Sequence, residues 1–320
     1  MIVDFEAVAD AYARAFDARS HSVFSSPQWL AALPKGSVKV AVFGSDQKAA
    51  YLPFSLARRR GIPFVSNPAF TPWVEVVGGS SSAKRVALIG DLHKAQSAMA
   101  NELRRLGVVR LRLQRTTPSW LGFHWAGYFG NARISYVVDG SPTVAWDGMK
   151  GKNRTQVRSA AELVQIRDVR DDGLEGSIEL FLRHSSTKNF GYSLGPTPLR
   201  LLMADAIASG RGIVRGAFDP QDRLVATAFF VDDGRSRTYL MGAQDPDGAR
   251  AHAMTLLHWR SIEETLNDGR TFDFEGSMLP GVEEYVRSFG GEQVTDVTVV
   301  WIPRPHRAMA ALRQRLARSS

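Results

Sequence analysis

The chain has no cysteine in 320 residues. That absence excludes a disulfide scaffold, cysteine-ligated zinc, an iron–sulfur cluster and a thiol nucleophile. It leaves the redox compartment unmarked, since a secreted protein can also lack cysteine. Long apolar runs are missing too; none approaches the ~18 residues of a membrane span. The first residues carry Asp4, Glu6 and Asp10 where a secretory signal would carry positive charge and then an apolar stretch. The expectation is a soluble, cytoplasmic protein. Charged residues make up 22% of the chain, too few for a disordered polyelectrolyte, and 44% hydrophobic residues suffice for a core. Several catalytic signatures are also absent. There is no Gly-x-Ser-x-Gly elbow, no His-Glu-x-x-His and no Walker loop, because Gly151–Lys152 runs into Asn153. Gly210, Gly212 and Gly216 are wrongly spaced for a dinucleotide fingerprint and precede a strand. The seven histidines show no metal-ligand pattern, and no metal is expected. His252 and His258 lie six apart on one helix, point in different directions and read as structural or surface residues.

What is present is positive charge. Forty Lys and Arg against 32 Asp and Glu give +8 and a pI near 9.9. This balance suits an anionic partner: nucleic acid, a nucleotide-like cosubstrate or an acidic membrane surface.

The length suggests about two domains. Phe5, Val8, Tyr12 and Phe16 fall on one helical face. Ser26 and Pro27 read as the cap and first turn of a short helix. Strands are expected at 38–44 and 49–59, a loop at 62–73, a helix at 83–106 and a strand at 108–114. In the last, Val109, Leu111 and Leu113 point one way and Arg110 and Arg112 the other. From Ser141 a similar order begins again. Helices are expected at 149–164, 177–190 and 198–209, and strands at 212–218, 223–231 and 236–243, joined by Asp-rich turns. A helix at 249–267, a strand at 271–277, a short helix at 281–288 and a strand at 294–302 complete it. The turn formers Asp139–Gly140–Ser141–Pro142 mark the expected boundary. The expected domains are 1–140 and 141–302, followed by a basic tail at 303–320.

The sharpest local pattern lies in residues 271–292. On a strand, Phe272 and Phe274 share one face, and Asp273 and Glu275 share the other. Two such carboxylates repel, which raises the proton affinity of one and suits it as a general base for an amine or hydroxyl nucleophile. The same pattern describes an ordinary polar strand face paired with Arg287 or another arginine.

Asp273, Phe274, Glu275, Gly276 and Ser277, followed by Gly281, Tyr285, Phe289, Gly290 and Gly291, resemble the carboxyl-terminal signature of the FemAB-like branch of the GNAT N-acyltransferase superfamily. Further stretches are similar to that branch across nearly the whole chain. They are Ser26–Pro27–Gln28–Trp29–Leu30, Leu52–Pro53–Phe54 with Arg58–Arg59–Arg60–Gly61, Phe70–Thr71–Pro72–Trp73, Thr187–Lys188–Asn189–Phe190–Gly191, and Tyr239–Leu240–Met241–Gly242–Ala243 with Leu256–Leu257. The resemblance implies an α/β (α+β) chain of two tandem GNAT-like acyltransferase domains, each a mixed, mostly antiparallel sheet flanked by helices. It implies a bacterial enzyme that acylates an amine of a cell-envelope or polysaccharide precursor. The peptidoglycan branch takes aminoacyl-tRNA and carries a Lys before Phe-Gly-Gly; this chain has Tyr285–Val286 there, with Arg287 next. The polysaccharide-associated branch is held to use acyl-CoA. A GNAT diphosphate loop reads Arg/Gln-x-x-Gly-x-Gly/Ala before a helix; Gln244–Asp245–Pro246–Asp247–Gly248–Ala249 stands in that place with one residue too many.

Lys150, Arg154 and Arg158 recur every four residues, with Lys152 beside them. This stripe reads as an anion site for CoA phosphates, a tRNA backbone or a lipid-linked pyrophosphate, or as a solvated helix face. After Asp296 there is no acid and five arginines, Arg304, Arg307, Arg313, Arg315 and Arg318. Met309, Leu312 and Leu316 share one face there, as in a helix lying on the inner face of an anionic membrane, a helix contacting RNA, or a frayed terminal helix.

The expected site therefore comprises Asp273 and Glu275 as base or amine-orienting groups and Tyr239, Tyr285 and Arg287 as lining. Lys150, Lys152, Arg154, Arg158, Gln244 and Gly248 are the expected donor contacts. Three readings stand: acyl-CoA-dependent N-acyltransferase, aminoacyl-tRNA-dependent transferase, and a non-catalytic GNAT-like module binding membrane or nucleic acid. Without cysteine, transfer passes directly from donor to amine.

Overall fold

The computed structural model describes residues 1–80, 82, 84–187, 195–304 and 306. Lys188 to Gly191 and the tail residues from Arg307 onward, both singled out in the sequence, lie outside them. Two compact units divide the chain: Met1–Ala132 with Asp296–Ser320, and Arg133–Thr295. Each division falls inside a strand.

The first unit contains β1 (Ile2–Asp4), α1 (Ala9–Ala15), α2 (Pro27–Ala31), β2 (Lys39–Phe43), β3 (Ala50–Arg59), β4 (Ile62–Ser66), β5 (Val77–Gly78), α3 (Arg85–Leu106), β6 (Val108–Arg112), α4 (Leu121–Trp125) and the start of β7 (Phe129–Val138). Its sheet runs β1-β2-β3-β4-β6, and β6 then pairs with the terminal strand, Glu292–Trp301, through Thr298–Trp301. The β4–β6 ladder is parallel; the other ladders are antiparallel. Helix α3 lays Ala95, Met99, Ala100 and Leu103 on this sheet, spaced to form one apolar face. Ser26 caps α2 by accepting the Trp29 N–H at 3.2 Å. The Trp29 indole donates to Thr71, and the Trp73 indole to Ser22. The Ser-Pro-Gln-Trp-Leu and Phe-Thr-Pro-Trp stretches thus hold each other.

Val109, Leu111 and Leu113 are buried as their alternation requires. Arg112, expected on a polar face, is buried too. Its guanidinium grips Asp296, which also accepts from Arg115 at 3.0 Å. A buried arginine is tolerated here because its counter-charge arrives from the terminal strand.

The second unit continues with α5 (Pro142–Gly148), α6 (Gly151–Leu163), β8 (Gln165–Val169), α7 (Leu174–Thr187), α8 (Pro196–Ala208), β9 (Gly212–Phe218), β10 (Leu224–Asp232), β11 (Ser236–Gln244), α9 (Pro246–Arg250), α10 (Ala253–Asn267), β12 (Thr271–Asp273) and α11 (Pro280–Arg287). Strand order is β7-β12-β11-β10-β9-β8, with β11–β12 the parallel ladder. Central β10 is buried on both faces. Ala226, Ala228 and Phe230 pack in the core with α10, while the Thr227 hydroxyl reaches Ser177 on α7 at 2.9 Å. Each unit is thus a mixed, mostly antiparallel sheet flanked by helices. Among the described residues no helix is long and apolar enough to cross a membrane.

Among the expected elements that are divided or shortened, two lie beside the carboxyl-terminal signature. The helix at 249–267 breaks at His252, whose left-handed backbone (φ +54°) separates α9 from α10. The strand at 271–277 stops at Asp273, so Glu275 does not share a strand face with it.

Candidate active site

Strands β11 and β12 pair as Ser236–Thr271, Arg237–Phe272 and Thr238–Asp273, and then part. The Phe274 N–H turns to the Tyr136 carbonyl at 3.1 Å. Glu275 and Gly276 follow with φ of +59° and +76°. A Cβ on Gly276 would lie 2.3 Å from the Ile134 carbonyl oxygen, so this sharp departure requires glycine. From Tyr239 onward β11 has β10 as its one strand neighbour among the described residues. Phe229 faces Met241 and Phe230 faces Tyr239, which leaves Leu240 as the extra residue of a β-bulge. A bulge twists its strand and frees main-chain groups from the ladder. The result is a fork with an open main-chain edge.

Aromatic side chains floor the fork. His258 on α10 is buried among Phe272, Phe274, Phe289, Tyr285 and Tyr239, with the Tyr239 ring edge-on at 4.4 Å. Its Nδ1 lies 2.8 Å from the Tyr285 hydroxyl, and its Nε2 has no hydrogen-bond partner among the described residues. Burial drives the imidazole pKa down to about 3. Burial also pushes the Tyr285 phenol well above its ordinary range, against a smaller opposing effect from its hydrogen bond with Thr255. Both groups are neutral at physiological pH. Tyr239 and Tyr285, far apart in sequence, meet around this histidine. Of the two readings the sequence leaves for His258, structural or surface, the structure shows the first: Met254, His258 and Ile262 recur every four residues on one buried face. Val286, at the position where the peptidoglycan branch carries Lys, points into the core.

The two carboxylates have separate surroundings. Asp273 is buried, and its Oδ1 accepts from the Ser135 hydroxyl at 2.9 Å and from the Glu275 N–H at 2.8 Å. It therefore holds the turn that carries Glu275. Glu275 is partly exposed and forms an ion pair with Arg133 at 3.4 Å; Arg133 also donates to the Gly276 carbonyl. The expected repulsion between two carboxylates on one strand face is replaced by one anchored and one arginine-paired group. Arg287 pairs with Glu283 at 2.8 Å, and Glu283 also accepts from the Tyr136 hydroxyl. These two donors hold the Glu283 carboxyl below its usual range.

The basic stripe is largely engaged by the protein itself. Arg154 donates to the Trp146, Asp147 and Met149 carbonyls, satisfying the carboxyl end of α5. Arg158 lies over the Trp146 ring at 5.4 Å. Lys150 reaches Glu284 at 3.6 Å, and Lys152 is exposed.

The turn from β11 to α9 is capped from within. Asp245 caps α9, its Oδ1 accepting the Gly248 N–H at 2.8 Å. Expected as a phosphate donor, that N–H is taken by a carboxylate of the same turn. A Cβ on Gly248 would lie 2.2 Å from the Val225 carbonyl oxygen, so the turn presses against β10. Gln244 ends β11 with its Oε1 buried and without a hydrogen-bond partner among the described residues. The Asp245–Pro246 pair is itself a helix-start signal, which could have revealed the cap in the sequence.

A groove of about 720 Å³ lies elsewhere in the second unit, and no fork residue lines it. Its charged walls pair with each other. Arg215 joins Asp168 and Glu264, and Arg260 joins Glu263. Among the described residues no His, Asp and Glu cluster could hold a metal ion.

Residues 150–287 match the family model described as an acetyltransferase (GNAT) domain. No curated protein matches the sequence. Three solved structures are similar in fold. The C-terminal domain of a putative lysylphosphatidylglycerol synthetase from Agrobacterium fabrum aligns with TM-score 0.61 and 13% identity, over 96% of this chain and 95% of that one. FemX aligns with TM-score 0.56 and 11% identity, over 81% and 87%. L-PGS from Bacillus licheniformis aligns with TM-score 0.53 and 12% identity, over 95% of both chains. The match covers residues 150–287 of the second unit, and the fold of the chain is similar to those of FemX and L-PGS.

Proposed function

We propose that this chain is a GNAT-type acyltransferase that transfers an acyl group from a thioester to the amine of a cell-envelope or polysaccharide precursor, at the fork between β11 and β12. The observation that carries this reading is the open, bulged edge of β11 beside the aromatic floor. An unpaired strand edge receives an extended partner by strand addition, with main-chain hydrogen bonds as the anchor. The pantetheine arm of acyl-CoA is such a partner: extended, amide-bearing and ending in the thioester. The donor supplies the activated carbonyl.

The protein's part is positioning and charge stabilisation. A main-chain N–H freed near Leu240 stabilises the oxyanion as the amine nitrogen bonds to the carbonyl carbon. The carbon–sulfur bond then breaks, and the amine proton leaves to solvent or to the departing thiolate. Tyr239 and Tyr285, neutral and held around His258, exclude water from the fork. Glu275, tethered by Arg133, orients the incoming amine, and Asp273 fixes the turn that presents it.

The capped α9 favours a second reading, in which the donor carries no diphosphate: an aminoacyl ester of tRNA, for which the +8 charge is suited.

The test supplies S-acetyl-pantetheine, acetyl-CoA or alanyl-tRNA with an amino-sugar acceptor, and reads amide formation by mass spectrometry. Thioester-dependent amide upholds the first reading; amide from alanyl-tRNA alone replaces it with the second. Asp273→Asn, which retains an oxygen for both hydrogen bonds, keeps activity if its role is anchoring. Glu275→Gln lowers activity if it orients the amine.

A further inference from the structure

We propose that α4 and the start of α3 form a docking face for the surface of an anionic bilayer. The face belongs to the first unit alone and is independent of the fork and its donor.

Residues 116–132 contain no Asp, Glu, Lys or Arg, and they carry Trp120, Phe123, Trp125, Tyr128 and Phe129. Phe123 and Tyr128 are buried in the core of the unit. The inner side of α4 is pinned to α3. A Cβ on Gly122 would lie 2.5 Å from the His93 carbonyl oxygen, the Gly122 carbonyl accepts from the Ser97 hydroxyl at 2.9 Å, and the Gln96 amide donates to the Ser119 carbonyl at 2.6 Å. With Gly122 and Phe123 turned inward, Leu121 and Trp125, four residues apart, point outward and are 40% and 63% exposed. The Trp125 ring stands edge-on to His93 of α3 at 4.8 Å. Val86, seven residues before His93 on the same face of α3, is 79% exposed. Single exposed apolar residues are ordinary; three on one rigid helix pair mark a contact surface.

The surroundings of this strip select its occupant. Lys84 and Arg85 adjoin Val86, Lys94 adjoins His93, and all three are exposed. On α3 and its cap, Lys84, Arg85, Lys94, Arg104 and Arg105 stand against Asp91 and Glu102. The Lys94–Asp91 and Arg105–Glu102 pairs lie in solvent and hold their cations weakly. Lysine is depleted at the core of protein–protein interfaces. Three apolar side chains also cover far less than the ~800 Å² that each partner of a standard interface buries. An anionic bilayer matches the combination present here, with Trp and Leu at the level of the headgroups and Lys and Arg beside them.

The experiment sediments the full chain with vesicles of phosphatidylcholine containing roughly one third phosphatidylglycerol, and with vesicles of phosphatidylcholine alone. The wild type binds the anionic vesicles about tenfold more tightly, and salt weakens that binding. Val86→Ser, Leu121→Ser and Trp125→Ser combined lower binding to the anionic vesicles by about tenfold. Lys84→Glu with Lys94→Glu, which leaves the apolar strip intact, lowers it to the level of the neutral vesicles. Brominated lipid quenches the tryptophan emission of the wild type, and quenches Trp125→Phe less although that variant still binds. The proposal is overturned if the wild type does not bind anionic vesicles, or if the folded serine variant binds them as the wild type does, which places the contact elsewhere. It is also overturned if analytical ultracentrifugation shows a wild-type dimer that the serine substitutions dissociate, which places a second copy on the strip. Should the serine variant fail to fold, the charge variant and the quenching decide: unchanged binding or equal quenching refutes the proposal.

Discussion

His258 makes the stability of the second unit sensitive to mild acid. In the unfolded chain its imidazole titrates near 6.5, whereas burial in the folded unit lowers the pKa to about 3. Above pH 6.5 the ring is neutral in both states and adds no pH dependence. Below it, the unfolded chain takes up a proton that the folded protein refuses, so stability falls until the pH approaches 3. At pH 4.5, two units below the unfolded value, the loss is about 2.7 kcal/mol. No ion pair contributes to the shift; burial is its cause. His258→Phe removes the titration at a pH-independent cost of about 1 kcal/mol for the lost Tyr285 hydrogen bond. Urea unfolding from pH 7.5 to 4.5, followed by tryptophan fluorescence, should show the wild-type curve falling toward the variant and crossing it. Parallel curves would refute the burial argument.

Three further outcomes are expected. Gly276→Ala combines a left-handed backbone with a clash on the Ile134 carbonyl; a loss of about 3 kcal/mol should lower the melting temperature by roughly 6–12 °C in calorimetry. Asp296→Ala strands buried Arg112, and a loss of about 3–5 kcal/mol should register as a lower urea midpoint. Arg154→Ala leaves three α5 carbonyls without their guanidinium and should cost about 1 kcal/mol by the same assay.

Much of the second unit is legible from its residues. β9, β10 and β11 carry dense apolar residues between Asp-rich turns, and Asp222 and Gly234 adopt the left-handed backbone those turns need. α3 is equally plain, a long helical stretch stopped at Gly107. Other elements leave weaker traces. β7 is half exposed, so Phe129 to Arg133 shows no alternation. β4 lies within a stretch whose Pro and Asn read as loop, and its pairing with β6 is a long-range fact. β8 follows α6 after one residue and has no turn signal before it. At the site, the Asp-Phe-Glu-Gly-Ser segment announces itself. The separate fates of Asp273 and Glu275 do not, because they depend on Ser135 and Arg133 from another strand. The meeting of Tyr239 and Tyr285 depends on a single histidine contributed by a third element.

The Arg112–Asp296 pair spans 184 residues of chain. On a ribosome adding about 5–20 residues per second, the carboxylate emerges roughly 10–40 s after the guanidinium that needs it. Until then β6 has an open edge and two arginines beside it lack their shared counter-ion. The first unit to begin synthesis is therefore the last to be completed, and the intervening unit has that interval in which to fold. A nascent chain halted before Asp296 should hold a protease-resistant second unit and an incomplete first one.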